Sequence, residues 1–339
     1  MLVVRPITMD DYDALHKCAV ESGHGFTSLP VNEELLTNRI QHSEYSFKKP
    51  DVSEPGDEGY LMVGFDSETG EIAGTTGIEA SIGWDVPFYS YHISKVVHSS
   101  PKLGVNNVVK LLTFGNNYTG CSEICTLFLR PSFRQGLNGR LMSKCRFLMM
   151  AEHPERFSET IFAEMRGVSD ADGNSPFWQW LQEHFFSIDF TLADYLTGIG
   201  KKGFIADLMP KLPIYINLLS KEAQAVIGQV HDNTKPALKL LEREGFSCRN
   251  YVDIFDGGPT VECDRKNIES VRHSFRASVQ ISEHSSSQNY LISNTSFENF
   301  RATTAKAAYD HETESVLLSE EVARALQVDE GNKVRMLAL

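Results

Sequence analysis

The chain has 339 residues, 41% of them apolar and 23% charged, and a formal net charge of −13. That composition supports a packed core in one large or two modest domains and excludes a disordered chain. The acidic balance weighs against nucleic acid and anionic membrane as partners, and no apolar run approaches the ~20 residues of a membrane-spanning helix.

The opening Met1-Leu2-Val3-Val4-Arg5-Pro6 lacks the basic and then apolar regions of a signal peptide, so a cytoplasmic protein is expected. Six scattered cysteines without paired spacing predict buried, reduced thiols and no metal site. In chain order, residues 2–5 predict a strand. Thr8 and Asp11 have capping-box spacing, and Tyr12, Leu15 and Ala19 recur at helical spacing up to Gly23. A loop through Phe26-Thr27-Ser28-Leu29-Pro30 leads to a second helix over 32–43. Tyr60 to Phe65 and Glu71 to Ala80 read as a hairpin around Asp66–Gly70. Residues 81–120, rich in Gly, Asn, Tyr and His, read as an irregular insertion.

Glu123 to Leu129 predicts a strong strand, followed by a glycine-containing turn and a helix marked by Leu141, Cys145, Leu148 and Met149. Thr160 to Met165 predicts another strand, and 168–228 a mostly helical insertion with aromatic clusters. Thr234 to Glu244 predicts a short helix closed by Gly245, with Phe246 packing back on Leu241. Arg249 to Phe255 alternates like a strand. Beyond Cys263 a polar loop over 282–289, short strands, a helix from Ser319 and a final strand Lys333 to Leu339 predict a small β-rich C-terminal region. The expected division is therefore 1–262 and 263–339.

The segment Cys125 to Met142 carries the first chemical signal. A strand, a glycine turn and a helix start aim backbone N–H groups and a positive helix end at one spot, which suits a pyrophosphate. Arg134 and Arg140 can add charge. Glu79, Glu123 and Glu164 are carboxylates on predicted strands, where burial without purpose is costly. Arg166, at a strand end, can hold a carboxylate.

The order of elements resembles that of the GNAT acyltransferase superfamily, which implies a central mixed α/β sheet flanked by helices. The turn resembles its acyl-CoA motif, Gln/Arg-x-x-Gly-x-Gly/Ala. Arg134 and Gly139 match the ends, Leu137 stands at the middle glycine, and Gly136 comes one residue early. Over nearly its whole length the chain resembles the arginine N-succinyltransferase family. The resemblance rests on stretches such as Ser122–Leu129, Ala163–Gly167, Ser175–Trp178, Ile227–His231 and Tyr251–Thr260.

That resemblance implies transfer of a succinyl group from succinyl-CoA to the α-amino group of L-arginine, with no permanently bound cofactor. It carries the family's proton donor onto His231 and its succinyl-CoA-binding leucine onto Leu127. Phe128, Arg134, Gly136, Asn138, Gly139 and Arg140 complete the expected acyl-CoA site. His24, Thr27, Ser28, Glu164 and Arg166 are the expected acceptor contacts. Two rivals follow: a relative acting on ornithine or with another acyl-CoA, and a non-catalytic acyl-CoA or arginine sensor. A homo-oligomer is compatible with the sequence.

Overall fold

The structure is a computed structural model. It describes residues 1–23, 29–170, 173–186, 188, 192–193, 196, 203–282, 286 and 288–339. Strand β1 (Leu2–Pro6) leads through a tight turn into α1 (Tyr12–Ser22), then α2 (Glu33–Lys48), β2 (Gly59–Asp66) and β3 (Ile72–Glu79). A long hairpin follows, β4 (Ser90–Ser100) and β5 (Val105–Gly115), then β6 (Ser122–Leu129), α3 (Asn138–Glu152) and β7 (Thr160–Glu164). A helical region holds α4 (Pro176–Leu181), α5 (Gly203–Leu208), the two-residue β8 (Ile214–Tyr215) and α6 (Lys221–Val226). Next come α7 (Lys235–Arg243), β9 (Ser247–Val252), β10 (Pro259–Asp264) and α8 (Glu269–His273). The C-terminal part is β11 (Phe275–Ile281), β12 (Asn289–Asn294), β13 (Ala302–Lys306), β14 (Ala308–Asp310), β15 (Ser315–Leu318), α9 (Glu320–Leu326) and β16 (Lys333–Ala338).

Local chemistry explains the ends of these elements. Asp11 accepts the Thr8 N–H at 2.9 Å and a two-pronged Arg5 contact at 2.7 and 2.8 Å, which fixes the entry to α1. At the end of α7, Gly245 takes φ +96° and Phe246 N–H donates to the Leu241 carbonyl at 3.1 Å, as its place after the helix predicts. The second helix runs to Lys48, five residues beyond the expected end, because Ile40, Ser43 and Phe47 keep one buried stripe going.

All sixteen described strands join one mixed sheet, in the order β14-β15-β11-β16-β12-β13-β1-β2-β3-β6-β7-β10-β9-β4-β5-β8. Alternation along β2 shows its two faces. Tyr60 and Met62 pack with α3 residues Leu141, Met142 and Cys145, while Leu61 and Val63 pack with Leu15 of α1 and Leu36 of α2. A second core, with Tyr91, Leu112, Phe177 and Trp178, lies between the helical region and β4, β5 and β9. The aromatics of 177–186 are thus core residues rather than a stacking site.

One expectation changes. Residues 81–120 are not irregular: most of them form the β4–β5 hairpin, paired from Ser90↔Gly115 to Ser100↔Val105. Its outer half is exposed on both faces, so no apolar alternation marks it. The C-terminal strands have their own core of Val279, Ile292, Val316 and Leu326, yet they continue the main sheet through β13–β1 pairing. Glu152 at the end of α3 also reaches Arg276 at 2.6 Å and Arg335 at 2.7 Å across that junction.

Candidate active site

Strands β6 and β7 run parallel and pair only at their starts, Ser122↔Ile161 and Glu123↔Phe162. Beyond that point they part, leaving a V-shaped opening in the middle of the sheet. Because both strands run the same way, the turn after β6 and the end of β7 lie at one rim, the mouth of the V. Its apex lies at Glu123.

One wall is a bulge. Thr75 faces Phe128 and Gly77 faces Cys125, so Thr126 and Leu127 together oppose one residue of β3. Thr126 has φ +56°, the left-handed region that a β-branched residue rarely enters. Such strain persists only where the surroundings enforce it. Here the Thr75 hydroxyl donates to the Thr126 carbonyl at 2.9 Å, and Arg39 Nη2 donates to Thr126 Oγ1 at 2.8 Å. The same Arg39 nitrogen reaches Glu79 Oε1 at 3.0 Å.

The bulge takes Leu127 out of step with β3 at the wall of the opening. Its side chain packs half-buried on the α3 side, while Phe128 is buried on the α1–α2 side. Any contact Phe128 makes with a ligand must therefore go through its backbone.

At the mouth, Pro131–Phe133 forms a single turn and Arg134 Nε donates to the Leu129 carbonyl at 2.7 Å. Gly136 adopts φ +54°, so the early glycine has a conformational reason of its own. The Asn138 amide donates to the Phe133 carbonyl at 3.0 Å. No side chain caps the first N–H groups of α3, and a Cβ on Gly139 would meet nothing within 4 Å. Arg134 and Arg140 are exposed beside that open helix end. An uncapped helix start beside two exposed arginines is chemistry that suits an anion. The departure from the motif, Leu137 at the middle glycine, is accommodated at ordinary φ −96°.

The opposite wall ends at Arg166 and Gly167. His231 N–H donates to the Arg166 carbonyl at 2.9 Å, and Val230 bridges Gly167. Asp256 fixes this joint, accepting Gly167 N–H at 2.6 Å and Gly258 N–H at 2.8 Å. Glycine is required at 258, where a Cβ would lie 2.1 Å from the Met165 carbonyl.

The His231 ring is half-buried, and its Nδ1 accepts the Asn233 N–H at 3.2 Å. A neutral ring held this way carries its proton on Nε2. Burial, then the neighbouring Arg166 charge, hold His231 below its usual pKa, with Asp232 opposing. The neutral donor form therefore prevails at neutral pH.

The apex is acidic. Glu79 pairs across strands with Glu123, and Glu123 with Phe162. Glu164 lies two residues past Phe162 and Arg166 four past it, so alternation puts all of them on the face opposite α3. Burial pushes the Cys125 thiol up to about 12, with Glu79 and Glu123 acting in the same direction. Its neutral thiol form is accordingly favoured over the thiolate.

Sequence reasoning missed Arg39, Thr126 and Asp256. Arg39 was hidden in an amphipathic helix, and a bulge leaves no mark in a strand pattern. Asp256 stands inside the quoted stretch Tyr251–Thr260, where the run Asp-Gly-Gly-Pro was its one visible signal. Residues His24, Thr27 and Ser28 lie outside the described residues. Among the described residues no group of three or more His, Cys, Asp or Glu side chains converges as a metal site, and no helix is long and apolar enough to cross a membrane.

Comparison with known proteins bears directly on this opening. The family model described as arginine N-succinyltransferase beta subunit matches residues 2–270, and the model of that subunit's C-terminal domain matches 275–338. The chain belongs to the arginine N-succinyltransferase family. An arginine N-succinyltransferase of Escherichia coli (strain 55989 / EAEC) is 45% identical over 343 aligned residues, covering 100% of this chain and 98% of its own. One from Citrobacter koseri is 44% identical with the same coverage.

Among solved structures, the arginine/ornithine succinyltransferase subunit AI from Pseudomonas aeruginosa superposes with a TM-score of 0.91 at 37% identity. That match spans 100% of this chain and 98% of the other. The mixed α/β architecture is thus that of the family, C-terminal strands included. Family membership makes this chain a transferase of the arginine succinyltransferase type.

Proposed function

We propose that the chain transfers a succinyl group from succinyl-CoA to the α-amino group of L-arginine, at the opening between β6 and β7. The observation that carries this reading is the full-length match to arginine N-succinyltransferases together with an opening that has an uncapped helix start and two exposed arginines at its mouth and carboxylates at its apex. The pyrophosphate of CoA fits the cradle of Arg134, Gly136, Asn138, Gly139 and Arg140. The thioester then lies along the bulge at Leu127, where backbone N–H groups can bind the oxygen as charge develops on it. Glu123 and Glu164 give the guanidinium its counter-charges, with Glu79 beside them already paired to Arg39, and Arg166 receives a substrate carboxylate.

In the reaction the amine nitrogen bonds to the carbonyl carbon and the carbon–sulfur bond breaks. The nitrogen gives up one proton and the thiolate gains one. His231 Nε2–H supports the departing sulfur as its charge grows. Succinyl-CoA is a co-substrate, and the chemistry calls for no resident cofactor. The raised thiol of Cys125 argues for direct attack rather than a covalent acyl-enzyme.

Free thiol should appear from succinyl-CoA only with an amine acceptor present, and faster than from acetyl-CoA. Equal rates from both donors would remove the succinyl assignment. No release with any amine would turn the protein into a sensor. Ornithine is the second acceptor to compare, because the Pseudomonas structure bears the name arginine/ornithine succinyltransferase.

A further inference from the structure

His231 stands on a short segment between α6 and α7, and backbone bonds hold that segment at both ends. Gly228 N–H donates to the Gly257 carbonyl at 2.7 Å, and His231 N–H donates to the Arg166 carbonyl at 2.9 Å. The two anchors come from different parts of the chain. Arg166 follows β7, whereas Gly257 lies in the turn between β9 and β10. The imidazole keeps its place only while these two pieces keep theirs.

Asp256 ties the pieces together. One carboxylate oxygen accepts Gly167 N–H at 2.6 Å and the other accepts Gly258 N–H at 2.8 Å. A single side chain thus joins the residue after one anchor to the residue after the other. The approach is close: a Cβ on Gly167 would lie 2.5 Å from Asp256 Oδ1, so glycine is needed there. Asp253 accepts the Phe255 and Asp256 N–H groups at 2.7 and 2.8 Å, which fixes the turn that presents the carboxylate.

This arrangement works against stability. Asp256 is 8% exposed, and among the described residues no Lys or Arg pairs with it or with Asp253. Burial, and then the Asp253 charge, hold Asp256 well above the usual carboxylate range. Buried acids without a cation are costly, so stability alone does not account for the pair.

We propose that Asp256 is a positioning residue for His231, setting the ring against the opening between β6 and β7 through the Arg166–Gly167 joint. It touches no substrate, and its role rests on His231 as the proton donor. Asp256→Asn keeps the shape but offers one acceptor oxygen to two N–H groups, so one tie is lost. Turnover should fall about tenfold to 10²-fold, the scale of a misplaced catalytic group. The dissociation constant for CoA should hold, because that ligand is given to the start of α3. In the His231→Ala background the same change should cost less than about threefold more, since no ring remains to be placed.

Followed by NMR, the His231 ring of Asp256→Asn should titrate closer to 6.5, because burial and Arg166 hold it less firmly. Gly167→Ala wedges the same contact from the other side and should reproduce both effects. Additive losses in the double variant overturn the proposal, as does an unmoved ring with normal turnover. Loss of the fold in both Asp256→Asn and Gly167→Ala makes the joint structural and overturns it too. Near-normal turnover in His231→Ala alone removes the proton-donor reading, and this proposal with it.

Discussion

Two parts of one sheet are built on opposite principles. From β11 to β16 every strand is paired along its length, and alternating side chains such as Val279, Ile292, Val316 and Val334 close an apolar core under α9. Between β6 and β7 the pairing stops after two residues, a threonine sits at φ +56°, and carboxylates line the gap. The first region does what stability asks. The second gives up ladder hydrogen bonds and tolerates strain, and it is also where the groups proposed to receive arginine and CoA converge. Strain and exposed backbone are kept where charge must be received, which is how pre-organised sites differ from cores.

If that contrast is right, mutations in the two regions should separate activity from stability. The largest effect is expected at His231. His231→Ala should lower turnover by roughly 10²–10⁴-fold, the usual scale for a proton-handling group, while the dissociation constant for CoA changes little. Steady-state kinetics with calorimetric CoA titration would check this, and near-normal turnover would move the proton donor elsewhere. In the C-terminal core, Leu326→Ala should cost about 2–5 kcal/mol of stability by leaving a cavity, with kcat/KM unchanged below the melting transition. A loss of kcat/KM in that folded variant would join the two regions functionally.

Gly139→Val should raise the dissociation constant for succinyl-CoA by roughly one to two orders of magnitude, about 1.4–2.8 kcal/mol. The open space a side chain would fill there is the space assigned to phosphate. An unchanged affinity would place the CoA elsewhere. Thr126→Gly tests the strain itself. Glycine accepts φ +56° freely and should recover about 1 kcal/mol, offset by loss of the Arg39 contact. Melting temperature should stay nearly level while turnover falls about tenfold. Parallel loss of both would make the bulge merely structural.

Much of this was readable in the residues. The strand–turn–helix around Arg134–Gly139, the glycine cap at Gly245 and the strands carrying Glu79, Glu123 and Glu164 all have local signatures, and local signatures survive in sequence. Three features did not. The Thr126 bulge depends on register with β3, which no single strand encodes. Arg39 reaches the site from α2, and its spacing there looks like any solvated helix face. The β4–β5 hairpin has polar and apolar residues on both faces, because neither face of its outer half meets a core, so period-two patterning was missing. Each was set by a partner far away in the chain.

The smallest expected effect concerns the charge around His231, and it tests whether the rim works as one unit. Burial and then the Arg166 charge depress the imidazole pKa below its usual 6.5, while Asp232 pulls the other way. The folded protein therefore takes up this proton at lower pH than the unfolded chain does. This group's contribution favours folding above pH 6.5 and turns against it as pH falls through that value. Followed by NMR, the His231 ring should titrate below 6.5. In Arg166→Gln a nearby positive charge is gone, protonation becomes easier, and the midpoint should move upward by a fraction of a unit without reaching the range of a carboxylate-paired histidine. The backbone bond from His231 N–H to the Arg166 carbonyl does not depend on that side chain, so the ring should keep its place. An unmoved midpoint would mean that burial alone sets the imidazole. Arg166 would then act on substrate and not on His231.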